Sequence, residues 1–254
     1  MALLGELVEF IDSELRIAEI PDYPPALNGL QLTNSTGKIS RVIAAVDASA
    51  AAIQAAAEYG ESALLLVHHG LFWQGSQPIT GPMFQKLKLA MEADLAIYSA
   101  HLPLDIHPQW GNNIQLAKAL GIANPKPCIN WKGISLGLRG AWHGSREDLL
   151  TAVSNAVGGN DVHLAAGGPS EINELAIVTG GAGSEVTQLA SLGIHTFITG
   201  EGPHWSHPYA LEYGINLLLA GHYATETFGV RTLANELAAR FDLQSSFIDQ
   251  PSGL

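Results

Sequence analysis

One cysteine, Cys128, in 254 residues excludes an intrachain disulfide and any metal site built from several thiolates. Charge is also scarce. Only 14% of residues are Asp, Glu, Lys or Arg, against roughly 25% in an average soluble domain. So little charge over so much surface points to surface covered by other subunits, a homo-oligomer. The charge present is mostly of one sign: 12 basic against 24 acidic residues leave a formal net charge of −12. Such a field repels phosphate backbones and anionic lipid, so neither nucleic acid nor a membrane is an expected partner. No apolar run approaches the ~20 residues of a spanning helix. The opening MALLGELVEFIDSEL places Glu6 and Glu9 inside an apolar periodicity and has no basic start. It reads as an amphipathic helix rather than a signal peptide, and the expected location is the cytoplasm.

Apolar runs are short and regularly punctuated. RVIAAVD reads as a buried strand, ASAAAIQAAAEY as an alanine-rich helix stopped by Gly60, and ALLLVHH as the next strand. A loop with Gly75, Pro78, Gly81 and Pro82 leads to a helix around MFQKLKLAMEA and the strand LAIYSA. Strands alternating with helices predict an α/β fold with parallel pairings. The pattern restarts at Glu174 with ELAIVTG, the helix SEVTQLASL and the strand HTFITG. Asp47 to Gly60 and Gly180 to Gly193 both span 13 positions; Gly60 to Gly70 spans 10 and Gly193 to Gly202 spans 9. The expected architecture is therefore two related, interlinked α/β halves with mixed sheets flanked by helices. The halves cover residues 1–125 and 126–254, the last helix packs back on the first half, and the site lies between them. Ligands commonly bind beyond the carboxyl ends of strands in such sheets.

Chemistry gathers at those ends. ALLLVHHG finishes in His68 and His69, LAIYSAHLPLD carries His101 and Asp105, and INLLLAGHYATE carries His222 and Glu226. Imidazole nitrogens together with carboxylate oxygens are what a divalent cation needs, and a pair of cations needs one carboxylate able to bridge them. Adjacent histidines in an extended strand point to opposite faces, so both serve one centre only where the strand breaks, and Gly70 supplies that break. Aligning the repeats sets His68 and His69 opposite Gly200 and Glu201. Phe72 and Trp73 either wall a pocket or belong to the core. TGGAGSE, from Thr179 to Glu185, reads as a tight turn with Ser184 as helix cap, since it lacks the spacing of known phosphate-binding loops. His204 and His207 read as locally hydrogen-bonded residues, and His107, His143, His163 and His195 as surface or structural ones.

The segments VHHGLFWQGSQPITG, YSAHLPLDIHPQWGNN, FITGE and AGHYATETFGVRTLA, in this order, together with NGLQ at Asn28–Gln31, resemble the GTP cyclohydrolase 1 type 2 homologue family. That family is also called the NIF-three-like family of dinuclear metal-centre proteins. The likeness covers nearly the whole chain and is greatest to the short bacterial branch. It implies metal ligation by His68, His69, Asp105, His222 and Glu226. Glu226 would bridge two divalent ions (zinc, iron, manganese or nickel), with His69 and Asp105 on one and His68 and His222 on the other. It also implies ring-shaped hexamers. His101, outside that ligand set and four residues before Asp105, orients the loop, faces substrate or adds a ligand. Glu201, in the second repeat's place for the paired histidines, acts as general base, holds a metal-bound water or is a turn carboxylate. The expected function is a metal-dependent hydrolase with a small-molecule substrate, a nucleotide or a cyclic amide or phosphate. Against GTP itself stand the net charge and the scarcity of cations near the motifs, where Lys86, Lys88 and Arg231 are nearest. The alternative is a non-enzymatic metal-binding or metal-trafficking protein, or an oligomeric scaffold.

Overall fold

The computed structural model describes residues 1–60 and 62–253. The chain divides into two compact units. Unit 1 comprises Met1–Leu104 and Gly229–Gln250, and unit 2 comprises Asp105–Phe228 and Pro251–Leu254. A short pair, β1 (Ala2–Leu3) with β3 (Lys38–Ile39), brackets helix α1 (Leu4–Glu14) and β2 (Gly29–Leu32). Helix α1 buries Leu4, Leu7 and Ile11 along one face, the spacing of an amphipathic helix. Then come β4 (Arg41–Asp47), α2 (Ala50–Ala57), β5 (Ala63–His69), α3 (Gly81–Glu92), β6 (Ala96–Ser99) and the single turn α4 (Leu102–Asp105).

Unit 2 continues with α5 (Asn112–Ala119), β7 (Lys126–Trp131), β8 (Ile134–Ser145), α6 (Arg146–Ala156), β9 (His163–Ala166), β10 (Glu171–Ile177), α7 (Val186–Ser191), β11 (Thr196–Thr199), α8 (Ser206–Glu212) and β12 (Asn216–Leu219). Helix α9 (His222–Phe241) begins in unit 2 and ends in unit 1, where β13 (Gln244–Phe247) completes the chain's regular structure.

Each unit has one main sheet. In unit 1 the order is β13-β4-β5-β6-β2, all parallel except β2. In unit 2 it is β7-β8-β10-β11-β12-β9, with β10, β11 and β12 parallel and the outer strands antiparallel. Both sheets thus carry three consecutive parallel strands, β4-β5-β6 and β10-β11-β12, with an antiparallel strand on the far edge of the third. The parallel strands read as unbroken apolar runs because they are buried on both faces. All seven residues of β5 are buried. The unit 1 core includes Ile43, Leu65, Ile97 and Ile53 of α2. The unit 2 core joins Leu116 of α5 and Leu149 of α6 to Leu175, Ile198 and Leu218 of the sheet. Helix α2 starts at Ser49, whose hydroxyl accepts the Ala52 N–H at 3.0 Å, and α6 starts in a capping box between Ser145 and Asp148. Ser184 caps nothing. It lies inside a 3₁₀ turn (Gly183–Glu185) that leads straight into α7, because a helical turn already fills the place where a cap needs extended backbone.

Candidate metal centre

In unit 1 three buried imidazoles collect at the carboxyl ends of β5 and β6. The strand β5 ends at His69 with Gly70 next, and His101 comes two residues after β6. Ring centroids lie 4.9 Å apart for His68 and His69, 4.8 Å for His68 and His101, and 5.6 Å for His69 and His101. One ring nitrogen from each falls within 4.8 Å of the others.

All three rings are held by the same device. The Nδ1 of His68 donates to the Ala100 carbonyl at 2.8 Å, that of His69 to Asp47 at 2.9 Å, and that of His101 to Asp22 at 2.8 Å. A carbonyl only accepts, so His68 carries its proton on Nδ1, and the carboxylates select the same tautomer in the other two. The basic nitrogen of each ring is then Nε2. Metal-ligating histidines are oriented in this way, by an acceptor on the other nitrogen. The sheet supplies one anchor directly, since the β4–β5 register pairs Asp47 with His69.

Asp22 is the more heavily used anchor. Its Oδ1 also accepts the Tyr23 N–H at 2.6 Å, and its Oδ2 accepts Asn28 Nδ2 at 2.7 Å and the Leu102 N–H at 3.0 Å. Burial disfavours its charge, but these bonds and the nearby His101 outweigh that, leaving its pKa below the ordinary value. Asn28 fixes His101 a second time, accepting its backbone N–H at 2.7 Å. Gln31 of the same NGLQ segment accepts the Leu71 N–H at 2.7 Å. Its amide sits so close to Gly70 that a Cβ there would displace it, and with it the hydrogen bond to Leu71. Trp73 touches both His69 and His101, with centroids 4.6 Å from each, whereas Phe72 packs against the core.

In unit 2, Asp105 is buried, and its Oδ1 accepts Asn112 Nδ2 at 2.7 Å and Thr179 Oγ1 at 3.3 Å. Asn113 ties the Asp105 carbonyl (3.1 Å) to the Thr179 N–H (2.9 Å). His222 opens α9, and Glu226 follows one turn later on the same face. The Nε2 of His222 lies 3.1 Å from Glu226 Oε1, and its Nδ1 3.0 Å from Glu201 Oε1. Burial lowers the affinity of His222 for a second proton, but the two carboxylates reverse this and raise its pKa to about 9. The field around this ring therefore favours positive charge. Gly180 has φ +71°, and a Cβ on it would strike Glu226 Oε1. Only glycine brings that backbone so near the carboxylate.

The remaining candidates have local roles. His107 Nδ1 accepts the Trp110 N–H at 3.1 Å, with the two rings stacked, and His195 bonds the Gly214 carbonyl. His163 and His207 lie 2.9 Å apart through ring nitrogens. Cys128 is buried and its thiol is pushed up to about 12, so it offers no thiolate near neutral pH. Asp22, Asp47, Asn112, Asn113 and Thr179 were not singled out by spacing alone, although DYPP, the end of RVIAAVD and QWGNN contain most of them.

An α/β chain whose strand ends and helix starts hold buried imidazoles and carboxylates has a donor set suited to a divalent cation. Residues 2–252 match the family described as Duf34/NIF3 (NGG1p interacting factor 3), and the chain belongs to it. It is 40% identical over 252 residues to the "GTP cyclohydrolase 1 type 2 homolog" of Deinococcus radiodurans, covering 98% of this chain and 94% of the relative. Among solved structures it is similar to the protein ybgI, described as of unknown function, with a TM-score of 0.91, 34% identity and complete coverage of both chains. It is also similar to TTHA1606 from Thermus thermophilus, with a TM-score of 0.86, 36% identity and complete coverage of both chains. Among the described residues no helix is long and apolar enough to cross a membrane.

Proposed function

We propose that this chain is a dinuclear divalent-metal-dependent hydrolase acting on a small molecule, a nucleotide or a cyclic amide or phosphate. The observation that carries the reading is the common Nδ1 anchoring of His68, His69 and His101, which turns three buried rings into ready nitrogen donors. His68, His69, Asp105, His222 and Glu226 hold the ions in this reading. Glu226 would be the shared ligand, and zinc, iron, manganese and nickel all suit such mixed nitrogen and oxygen donors. The donor chemistry fits a divalent cation: imidazoles of unit 1 oriented by acceptors on Nδ1, and buried carboxylates at Asp105 and Glu226 in unit 2.

Bound cations at this donor set supply Lewis acidity, acidifying water and polarising the group under attack. The protein's own part is orientation and proton handling. Asp47 and Asp22 hold the Nδ1 protons of His69 and His101, Glu201 holds that of His222, and Asn112 and Thr179 aim the Asp105 carboxylate. The proton-handling roles in this reading fall to Glu201, whose side chain is 46% exposed, and to His101. The sparse surface charge supports a homo-oligomer, a hexamer by family resemblance, working in the cytoplasm.

The test is metal per chain in wild type and Glu226→Gln purified without chelator, followed by a hydrolase screen with the metal found. About two equivalents in wild type, falling sharply in the variant, supports the bridged centre. No bound metal in either protein after loading with zinc, iron, manganese or nickel sinks it. A full complement of metal with no turnover of any nucleotide or cyclic amide moves the reading to a metal-binding or trafficking protein.

A further inference from the structure

A cavity of about 280 Å³ opens in unit 1 directly beside His69. One wall is the end of β4 and the start of α2, with Asp47 and Ser49. Another is the turn after β5, with Trp73 and Gln74, and a third is the start of α3, with Lys86. These walls differ in chemistry. Trp73 offers a broad ring already in contact with His69 and His101. The Gln74 side chain offers a donor and an acceptor on one amide. Lys86 is the one cation among the cavity's lining residues. Its Nζ donates to the Ala48 carbonyl at 3.2 Å, and an ammonium has three donors. Burial lowers the pKa of Lys86, so an anion placed beside it would be stabilised and would in turn hold the ammonium charged.

Size limits the occupant. A cavity of about 150 Å³ accepts benzene, and drug-sized ligands take roughly 300–1,000 Å³. The space therefore suits one substituted ring and is small for a complete nucleoside triphosphate.

We propose that this cavity is the substrate pocket of the metal centre and takes a single planar ring bearing one anionic oxygen, packed on Trp73 and held by Lys86. The assignment rests on the reading of His69 as a metal ligand. Under it, the ring's reacting edge faces His69 while its anionic group is turned toward α3. Chains of this kind would then discriminate among substrates by ring size and by a single negative charge, not by a triphosphate.

Benzoate and its neutral isostere benzamide probe the pocket, with GTP as the large competitor. Binding is measured by ligand-observed NMR on the full chain, and metal content is determined on the same samples. The proposal expects benzoate to bind wild type more tightly than benzamide. It expects benzoate to lose about tenfold in Lys86→Met, the scale of one charge-assisted hydrogen bond, and to keep its affinity in Lys86→Arg, while benzamide responds to neither change. Trp73→Leu weakens both probes, and GTP does not displace benzoate. Equal benzoate binding by wild type and Lys86→Met, or displacement by GTP, overturns the proposal. If metal content is intact in that case, the metal reading survives the loss of the pocket. Lys86-dependent benzoate binding by a protein that takes up no metal overturns both the metal reading and the assignment of the cavity to a metal centre.

Discussion

Asp47 and Asp22 anchor equivalent imidazoles but are embedded differently, and exchanging each for asparagine separates ligand orientation from folding. Asp47 is 46% exposed on its side chain and has His69 Nδ1 as its partner at 2.9 Å. Half-exposed pairs of this kind contribute about 0–1 kcal/mol to stability. That corresponds to at most about 4 °C in thermal midpoint for a chain of this size. Removing the charge behind a metal-ligating histidine, however, typically costs 10–100-fold in metal affinity, or about 1.4–2.7 kcal/mol. Asp22 is only 8% exposed and receives four donors. In Asp22→Asn the amide nitrogen replaces Oδ2 and faces Asn28 Nδ2 and the Leu102 N–H, two donors left without an acceptor. At about 1–3 kcal/mol each the loss is on the order of 2–6 kcal/mol, and the midpoint of the metal-free protein should fall by roughly 10 °C. Calorimetry of the metal-free proteins reads stability, and competition against a chromophoric chelator reads zinc affinity. Asp47→Asn should lose affinity and keep its midpoint; Asp22→Asn, behind a histidine outside the proposed ligand set, should lose its midpoint. If Asp47→Asn melts as early as Asp22→Asn while binding zinc like wild type, then Asp47 is a structural residue and the orienting argument fails.

Gly180→Ala combines a left-handed backbone with a collision against Glu226 Oε1, whereas Gly193→Ala has a similar φ of +70° and open space around it. The second change should cost about 1–2 kcal/mol from backbone alone. The first should cost more and also lower metal content, and equal effects of the two on midpoint and metal would refute the close-approach argument. Tyr98 donates to Asp12 at 2.5 Å, and burial together with Asp12 raises the pKa of its phenol. A raised folded-state pKa means stability that is present below the unfolded value of about 10 and is lost as pH rises past it. Urea midpoints at about pH 9 and pH 11 should therefore diverge in wild type more than in Tyr98→Phe. A parallel decline in both would assign the alkaline loss to other groups.

Much of the fold was legible because parallel strands buried on both faces announce themselves as apolar runs. RVIAAVD and ALLLVHH became β4 and β5 with the same ends. The paired histidines stood out because polar residues closing such runs are unusual. Their anchors did not stand out, since the role of Asp47 depends on strand register and that of Asp22 on a partner 79 positions away. Neither relation has a local signal. Ser184 was misjudged for a related reason: a serine before a helical run looks like a cap whether or not a 3₁₀ turn has already begun there. Trp73 and Phe72 were inseparable as adjacent aromatics, and only the bend after Gly70 decided which met the imidazoles and which the core. The structure also sets the His101 ring as close to His68 as His69 is, a placement that spacing along the chain could not show.

Unit 1 is discontinuous, closed by residues Gly229–Gln250 after the main segment of unit 2, Asp105–Phe228, has been written. This orders the protein's birth on the ribosome. Strand β4 lacks one neighbour until β13 emerges, whereas unit 2 has all its strands once β12 is made. At about 5–20 residues per second a window of seconds separates the two events, during which the edge of β4 is exposed and open to mispairing. Truncating the last stretch of chain is therefore not a trimming of a tail: it leaves the sheet that presents His68 and His69 permanently in its nascent, unsealed form.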